Sequence, residues 1–300
     1  MNRRDFIKNS LIIGAAFSVP SLIDPIVTCV LGADKPDLVV AQGTPPAKIT
    51  RAAIDGLGGI KRFIARGDVV VVKPNIGWDR RPEYAANTNP EVVSSIIRLC
   101  YEAGASKVKV FDNTVNDARR TYKQSGIADA AKSAGAIVTY IDDRKFKDMR
   151  ISGLALKSWP LYTEVFEADK VINVPIAKTH GLSELTLGMK NWMGIMGGWR
   201  GRIHQRINES LVDLAMTVRP VLTILDAVRI LTDNGPAGGN LRDVKLLNTV
   251  IAGIDPVAVD AFGATLFGMK PADLGFVRIG HEVGLGSMDL GKLKINRLRV

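Results

Sequence analysis

The chain has 300 residues, 46% hydrophobic and 23% charged, with 29 glycines, a globular balance that excludes a disordered, collagenous or coiled-coil polypeptide. Its two cysteines, Cys29 and Cys100, exclude a disulfide framework and a self-contained iron–sulfur cluster, which takes about four thiolates. Lys and Arg number 40 against 30 Asp and Glu, a formal charge of +10. No run of about five to eight basic residues and no interleaved aromatics mark a nucleic-acid surface, so small anionic ligands are the expected partners.

Residues 1–33 read as an address. Arg3-Arg4-Asp5-Phe6-Ile7-Lys8 is a twin-arginine pattern, followed by a moderately apolar stretch from Leu11 to Ile23 that Gly14, Ser18, Pro20 and Ser21 dilute. That stretch is shorter than the ~20 apolar residues of a bilayer span. Gly32 and Ala33 offer a cleavage region. The pattern predicts export of the folded chain by the twin-arginine translocation machinery to the periplasm, with an uncleaved signal as a membrane anchor in one variant. Cys29 falls inside this segment, which leaves Cys100 alone, expected to be buried on a helix.

Residues 34–300 are expected to form a single α/β domain. Strands are predicted at Leu38–Ala41, Asp68–Val72, Lys107–Phe111, Ala136–Ile141, Lys170–Val174, Val221–Leu225 and Leu246–Ile251. Several are continuous Val- and Ile-rich runs, the pattern of parallel strands buried on both faces. Helices are predicted over 47–65, over Pro90–Ala103 with Asn89 as N-cap and Gly104 as stop, and over 119–134 and 203–217. A last one starts from the Asp255 cap with Pro256 at its first position and reaches Phe267. The alternation predicts an open, mostly parallel sheet flanked by helices, with a Gly-rich insertion or subdomain over residues 145–205.

Polar residues follow the apolar runs: Lys73-Pro74-Asn75, Asp112-Asn113-Thr114, Asp142-Asp143, Lys178-Thr179-His180 and Asp226. In open α/β sheets ligands sit beyond the carboxyl ends of the strands, so these groups are expected to face one crevice. The densest chemistry runs from Lys178 to Arg206 and includes Lys190-Asn191-Trp192, Gly194, Gly197-Gly198, Arg200, Arg202 and His204. A merely solvated basic loop accounts for the charges but not for so many glycines, which allow backbone to approach a ligand. Neither a phosphate-binding loop, a G-x-G-x-x-G turn, H-E-x-x-H nor G-x-S-x-G occurs, and the enzyme classes built on them recede.

Val171-Ile172-Asn173-Val174-Pro175, Lys178-Thr179-His180, Thr186 and Lys190-Asn191-Trp192-Met193-Gly194 resemble the signature of the domain of unknown function 362 family. Val70-Val71-Val72-Lys73-Pro74-Asn75, Ile224-Leu225-Asp226, Asn234-Gly235-Pro236 with Gly238, and Gly253–Asp260 extend the resemblance, in order, over nearly all of residues 38–300. It implies an α/β fold and no settled activity. Many relatives carry a ferredoxin-like cysteine cluster that this chain lacks, so an iron–sulfur label does not transfer.

Together these readings predict an exported protein that binds an anionic ligand or a metal-containing cofactor at the strand ends, with redox enzymology and a redox partner as one possibility. Non-catalytic anion binding in the periplasm is the alternative. Lys73, Lys178, Lys190 and Arg202 are expected to hold the anion with help from Asn75, Thr179 and Asn191. His180 and His204 are expected to move protons or ligate a metal, and Asp226 and Asp260 to orient a base or complete a metal site.

Overall fold

Val69-Val70-Val71-Val72, four β-branched residues in a row, open the buried centre of a sheet. The computed structural model describes residues 35–300; the twin-arginine signal read in residues 1–33 lies outside them. The chain runs through β1 (Leu38–Gln42), α1 (Pro46–Gly56), β2 (Val69–Pro74), α2 (Pro90–Glu102), β3 (Lys107–Val110), α3 (Ala118–Gln124), α4 (Ile127–Ser133) and β4 (Ile137–Val138). Next come β5 (Phe146–Arg150), β6 (Ser158–Tyr162), α5 (Glu164–Glu167), β7 (Lys170–Val174), β8 (Ile176–His180) and β9 (Glu184–Thr186). Two stretches of 3-10 helix, Lys190–Ile195 and Arg200–Arg206, lead into α6 (Ile207–Val218). The last elements are β10 (Leu222–Leu231), β11 (Val244–Gly253), α7 (Pro256–Thr265), α8 (Gly275–Glu282) and β12 (Ile295–Arg299).

Ten strands make one sheet in the order β12-β1-β11-β10-β7-β2-β3-β4, with β8 beside β10 and β9 beside β8; β5 and β6 pair separately. The run from β10 through β7, β2 and β3 to β4 is parallel throughout, and β11 is antiparallel to both β1 and β10. The result is an α/β fold on a mixed, mostly parallel sheet. From β2 the chain proceeds outward to β3 and β4, whereas β7 and β10 lie on the other side of β2. The direction of winding therefore reverses between β2 and β7, where crevices form at carboxyl ends. There Lys73 pairs in register with Asn173, and Pro74 with Val174.

Alternation along β2 divides the core. Val70 and Val72 pack with Ile54, Ile96 and Ile127 from α1, α2 and α4. Val71 belongs to the opposite core with Trp192, Leu211 and Val259. Helix starts follow the local code: the Asn89 side chain accepts from Glu91 N at 2.9 Å, and Asp255 accepts from Val257 N and Ala258 N at 2.8 and 2.9 Å. Cys100 is buried on α2, and burial pushes its thiol up to about 12.

Several boundaries differ from expectation. The helix predicted over 47–65 stops at Gly56, because Gly58 and Gly59 adopt φ of +100° and +81° and only a 3-10 turn follows. The one predicted over 119–134 breaks into α3 and α4 at Gly126, φ +72°. Residues 200–206, partly predicted as α-helix, are 3-10, and the strand predicted over 136–141 shrinks to the two residues of β4 at the sheet edge. Conversely, β10 outruns its predicted end because β11 continues beside it as far as the Leu231–Val244 pair. Within the expected insertion over 145–205, only the β5–β6 ladder stands apart, since β7 and β8 join the main sheet.

Candidate functional site

Three parallel strand ends meet at a carboxamide. Asn191, at the start of the 3-10 helix after β9, donates from Nδ2 to Asn173 Oδ1 on β7 at 2.9 Å and to Lys73 O on β2 at 3.2 Å. Its Oδ1 accepts from Lys73 Nζ at 3.1 Å and from Asn75 Nδ2 at 3.2 Å. Asn75 Oδ1 in turn accepts from Lys178 Nζ on β8 at 3.2 Å. Lys73 of β2 and Asn173 of β7 thus bond Asn191 directly, and Lys178 of β8 joins them through Asn75, as expected where buried polar groups need partners.

Lys73 is fully buried, and Asp112, just past β3, faces it with Nζ–Oδ1 at 2.7 Å. The other Asp112 oxygen accepts from Ile76 N at 2.6 Å. Gly194 lies against this pair: a Cβ there would fall 1.7 Å from Asp112 Oδ1 and 2.5 Å from Lys73 Nζ. At this position glycine is required by close approach, not by backbone freedom.

Beside the pair opens a cavity of about 370 Å³, lined among others by Lys178, Lys190, Arg200, His180, His204 and Trp78. Lys178 is 1% and Lys190 7% exposed, and neither forms an ion pair among the described residues. Burial, reinforced by Lys190 and Lys73, holds the Lys178 amine down at about 7; burial and Arg200 bring Lys190 to about 7 as well. Lys178 donates to Ala86 O as well as to Asn75. The acceptor for Lys190 Nζ is the thioether of Met193, at 2.8 Å. Arg200 donates to Asn113 O and Thr114 O, both at 2.6 Å, binding the 3-10 segment to the loop after β3.

The two histidines lie with rings nearly parallel, centroids 6.2 Å apart. His180 Nδ1 accepts from Leu182 N at 3.1 Å and Ser183 N at 3.3 Å, which assigns its proton to Nε2 in the neutral ring. His204 Nδ1 lies 2.8 Å from Gly201 O, which assigns a proton to that nitrogen. Burial and the charges of Lys190 and Lys178 depress His180 to about 3.

The cavity thus gathers Lys178, His180, Lys190, Asn191, Asn75 and His204, with Lys73 immediately behind. Four other expected residues stand elsewhere. Thr179 is turned away, its Oγ1 accepting from Gly235 N at 3.1 Å, because alternate residues of β8 face opposite sides. Arg202 is exposed on the 3-10 turn and does not line the cavity; Arg200 does. Asp226 accepts from Asn89 N at 2.7 Å and Val228 N at 3.0 Å, fastening the start of α2 to β10. Asp260, on α7, accepts from Gly188 N at 2.6 Å and Met189 N at 2.9 Å, holding the turn that delivers Lys190 and Asn191. Both carboxylates hold backbone and neither orients a histidine; burial raises them to about 6 and about 7.

The expected metal set of His180 and His204 completed by Asp226 or Asp260 is therefore not assembled. Among the described residues no group of three or more His, Cys, Asp or Glu side chains is placed to hold a metal ion. Sequence reasoning set Asp112 at a strand end and Arg200 in the basic stretch without giving either a role, and gave Asn173 no role beyond the family resemblance. A carboxylate just beyond an apolar strand, next in the sheet to a strand ending in Lys, was the available signal for Asp112; only the register could identify Asn173.

The family pattern described as Domain of unknown function (DUF362) matches residues 70–265. A thylakoid-associated protein of Synechocystis sp. is 29% identical over 250 residues, covering 78% of this chain and 74% of the relative. Two solved structures resemble the fold at 10% identity. One is a Thermotoga maritima protein, TM-score 0.45, covering 76% of this chain and 60% of that one. The other is the lactate racemase apoprotein of Thermoanaerobacterium thermosaccharolyticum, TM-score 0.44, covering 79% of this chain and 58% of its own. The chain spans about three fifths of the length of these two structures.

Proposed function

The chain belongs to the domain of unknown function 362 family, and we propose that it binds a small anionic metabolite at the carboxyl ends of β2, β3 and β8, under the 190–206 segment. One observation carries this reading: buried Lys178 and Lys190 and Arg200 line a cavity, with Lys73 behind it, and the carboxylate in that lining, Asp112, is already ion-paired to Lys73. Taking a cation out of water costs several kcal/mol unless an anion compensates it. Among the described residues Lys178 and Lys190 have no anion within ion-pair distance, so a bound carboxylate or phosphate is the natural compensation. Amines held near neutrality also exchange protons readily with a bound ligand, which supports acid–base chemistry at the same place.

Calorimetric titration with inorganic phosphate and with mono- and dicarboxylates tests the reading. At least one should bind, with affinity lowered about 30-fold or more in Lys178→Met. No binding by any of them at millimolar concentration would sink it.

A second reading, anion capture without chemistry, is favoured by the placement of Asp226 and Asp260, since neither prepares a histidine for general-base work. A metal-containing cofactor would enter as the anion itself, with His180 and His204 as its only imidazole ligands; metal analysis and an optical spectrum of the exported protein test that variant. We further propose export through the twin-arginine machinery, on the strength of Arg3-Arg4-Asp5-Phe6-Ile7-Lys8. A redox role rests on that route alone, which favours proteins loaded with a cofactor before crossing. Arg3→Lys with Arg4→Lys keeps the charge and should retain the chain in the cytoplasm; unchanged export would remove this part of the proposal.

A further inference from the structure

The three lysines of the site differ in what occupies their amines. Lys73 faces Asp112 at 2.7 Å and donates to Pro74 O and Asn191 Oδ1 at 2.9 and 3.1 Å, so its nitrogen is fully engaged. Lys178 donates to Asn75 Oδ1 and Ala86 O, which ties it to the wall. Lys190 lines the same cavity, is almost wholly buried, and among the described residues has only the Met193 thioether, a weak acceptor, against its nitrogen. Its charged neighbour is another cation, Arg200. An amine that is desolvated, beside a cation and unoccupied by strong acceptors is a nucleophile awaiting an electrophile. Trp78 and Met193 line the same space, so it offers an apolar wall as well as positive charge.

We propose that Lys190 Nζ forms a Schiff base with the carbonyl carbon of a small 2-oxo acid, whose carboxylate lies against Lys178. This inference rests on the anion-binding reading above and names both its substrate class and its reacting atom. The free amine adds to the carbonyl, forming the C–N bond while the carbonyl π pair moves to oxygen and the nitrogen proton follows it. The carbinolamine then expels its hydroxyl as water with one proton taken from solvent, leaving a protonated imine. Solvent reaches the cavity at a mouth where Val115 and Leu182 are 56% and 63% exposed. No oxidant or reductant is consumed.

The full chain is incubated with pyruvate or 2-oxoglutarate plus sodium cyanoborohydride, and modified lysines are located by peptide mass spectrometry. One reduced adduct per chain on the peptide bearing Lys190, saturable and displaced by excess oxamate, is the expected result. Lys190→Arg should lose the adduct while keeping the charge, and circular dichroism and thermal melting should show it folded; Lys61→Arg, a surface control, should retain it. If oxamate binds by calorimetry but no Lys190 adduct forms, or if label spreads over surface lysines, the Schiff base is overturned and anion binding stands. Should neither oxamate nor phosphate bind, both readings fall.

Discussion

Lys73 and Asp112 are buried together at 2.7 Å, and removing one partner leaves the other charge uncompensated. Asp112→Asn is therefore expected to cost about 3–5 kcal/mol in urea unfolding, more than loss of any exposed pair such as Arg51–Glu102. Gly194→Ala should approach the same loss, about 3 kcal/mol, because its methyl falls on the ion pair itself. A change below about 1 kcal/mol would mean the neighbouring 3-10 segment yields freely. Protonation sets a second expectation. Lys178 and Lys190 lose their protons near pH 7, and an anion binds best to the ammonium forms. Affinity for phosphate measured with its ionisation taken into account should then fall above pH 7, by up to about tenfold per pH unit for each lysine that must be reprotonated. A flat profile from pH 7 to 9 would place both amines outside the binding step.

At the scale of elements, the cavity depends on a helix outside its lining. Asp260 sits in α7 and does not line the cavity, yet its two oxygens fix Gly188 N and Met189 N just before Lys190. Asp260→Ala should cost about 2–4 kcal/mol of stability and weaken anion binding as well, although every cavity residue remains. If phosphate affinity is unchanged in the folded variant, the 187–191 turn is positioned by something else. This scale also separates what local sequence can say from what it cannot. Asn89 and Asp255 start their helices as read, because a cap needs only its own next three residues. By contrast the breaks at Gly58-Gly59 and Gly126 interrupt patterns that read as continuous helix, and the hairpin of β5 and β6 went unread because its strands are half exposed and carry mixed residues.

For the molecule as a whole, the buried titrating groups act against each other. Asp226 and Asp260 are raised in the folded state, so the stability they contribute is complete below about pH 4 and lost as pH rises through 6 and 7. His180, depressed to about 3, opposes this in part, because folding leaves it unprotonated while the unfolded ring still binds a proton up to its ordinary value near 6.5. Lys178 and Lys190 are lowered, so stability climbs again from pH 7 towards their unfolded value near 10. Ligand-free protein should therefore be least stable near pH 7, and phosphate should raise its melting temperature most at or just below that point. Urea midpoints across pH 5–9 check the shape, and a maximum at neutrality would contradict it.

Runs such as Val69–Val72 and Lys170–Val174 determined by themselves that a parallel, doubly covered sheet forms, because a strand with no polar face must be buried on both sides. The polar residues after those runs pointed to Lys73, Asn75 and Lys178, and the Gly-rich basic stretch from Lys178 to Arg206 pointed to Lys190 and Asn191, as candidates for one crevice. Tertiary structure alone decided which of them meet. Strand register sets Asn173 opposite Lys73 and Asn191 over both, and strand parity turns Lys178 inward and Thr179 away. It also decided the fate of Asp226 and Asp260. Buried carboxylates need hydrogen-bond donors, and whether a backbone turn or a catalytic side chain supplies them depends on what packs nearby, which no stretch of local sequence contains.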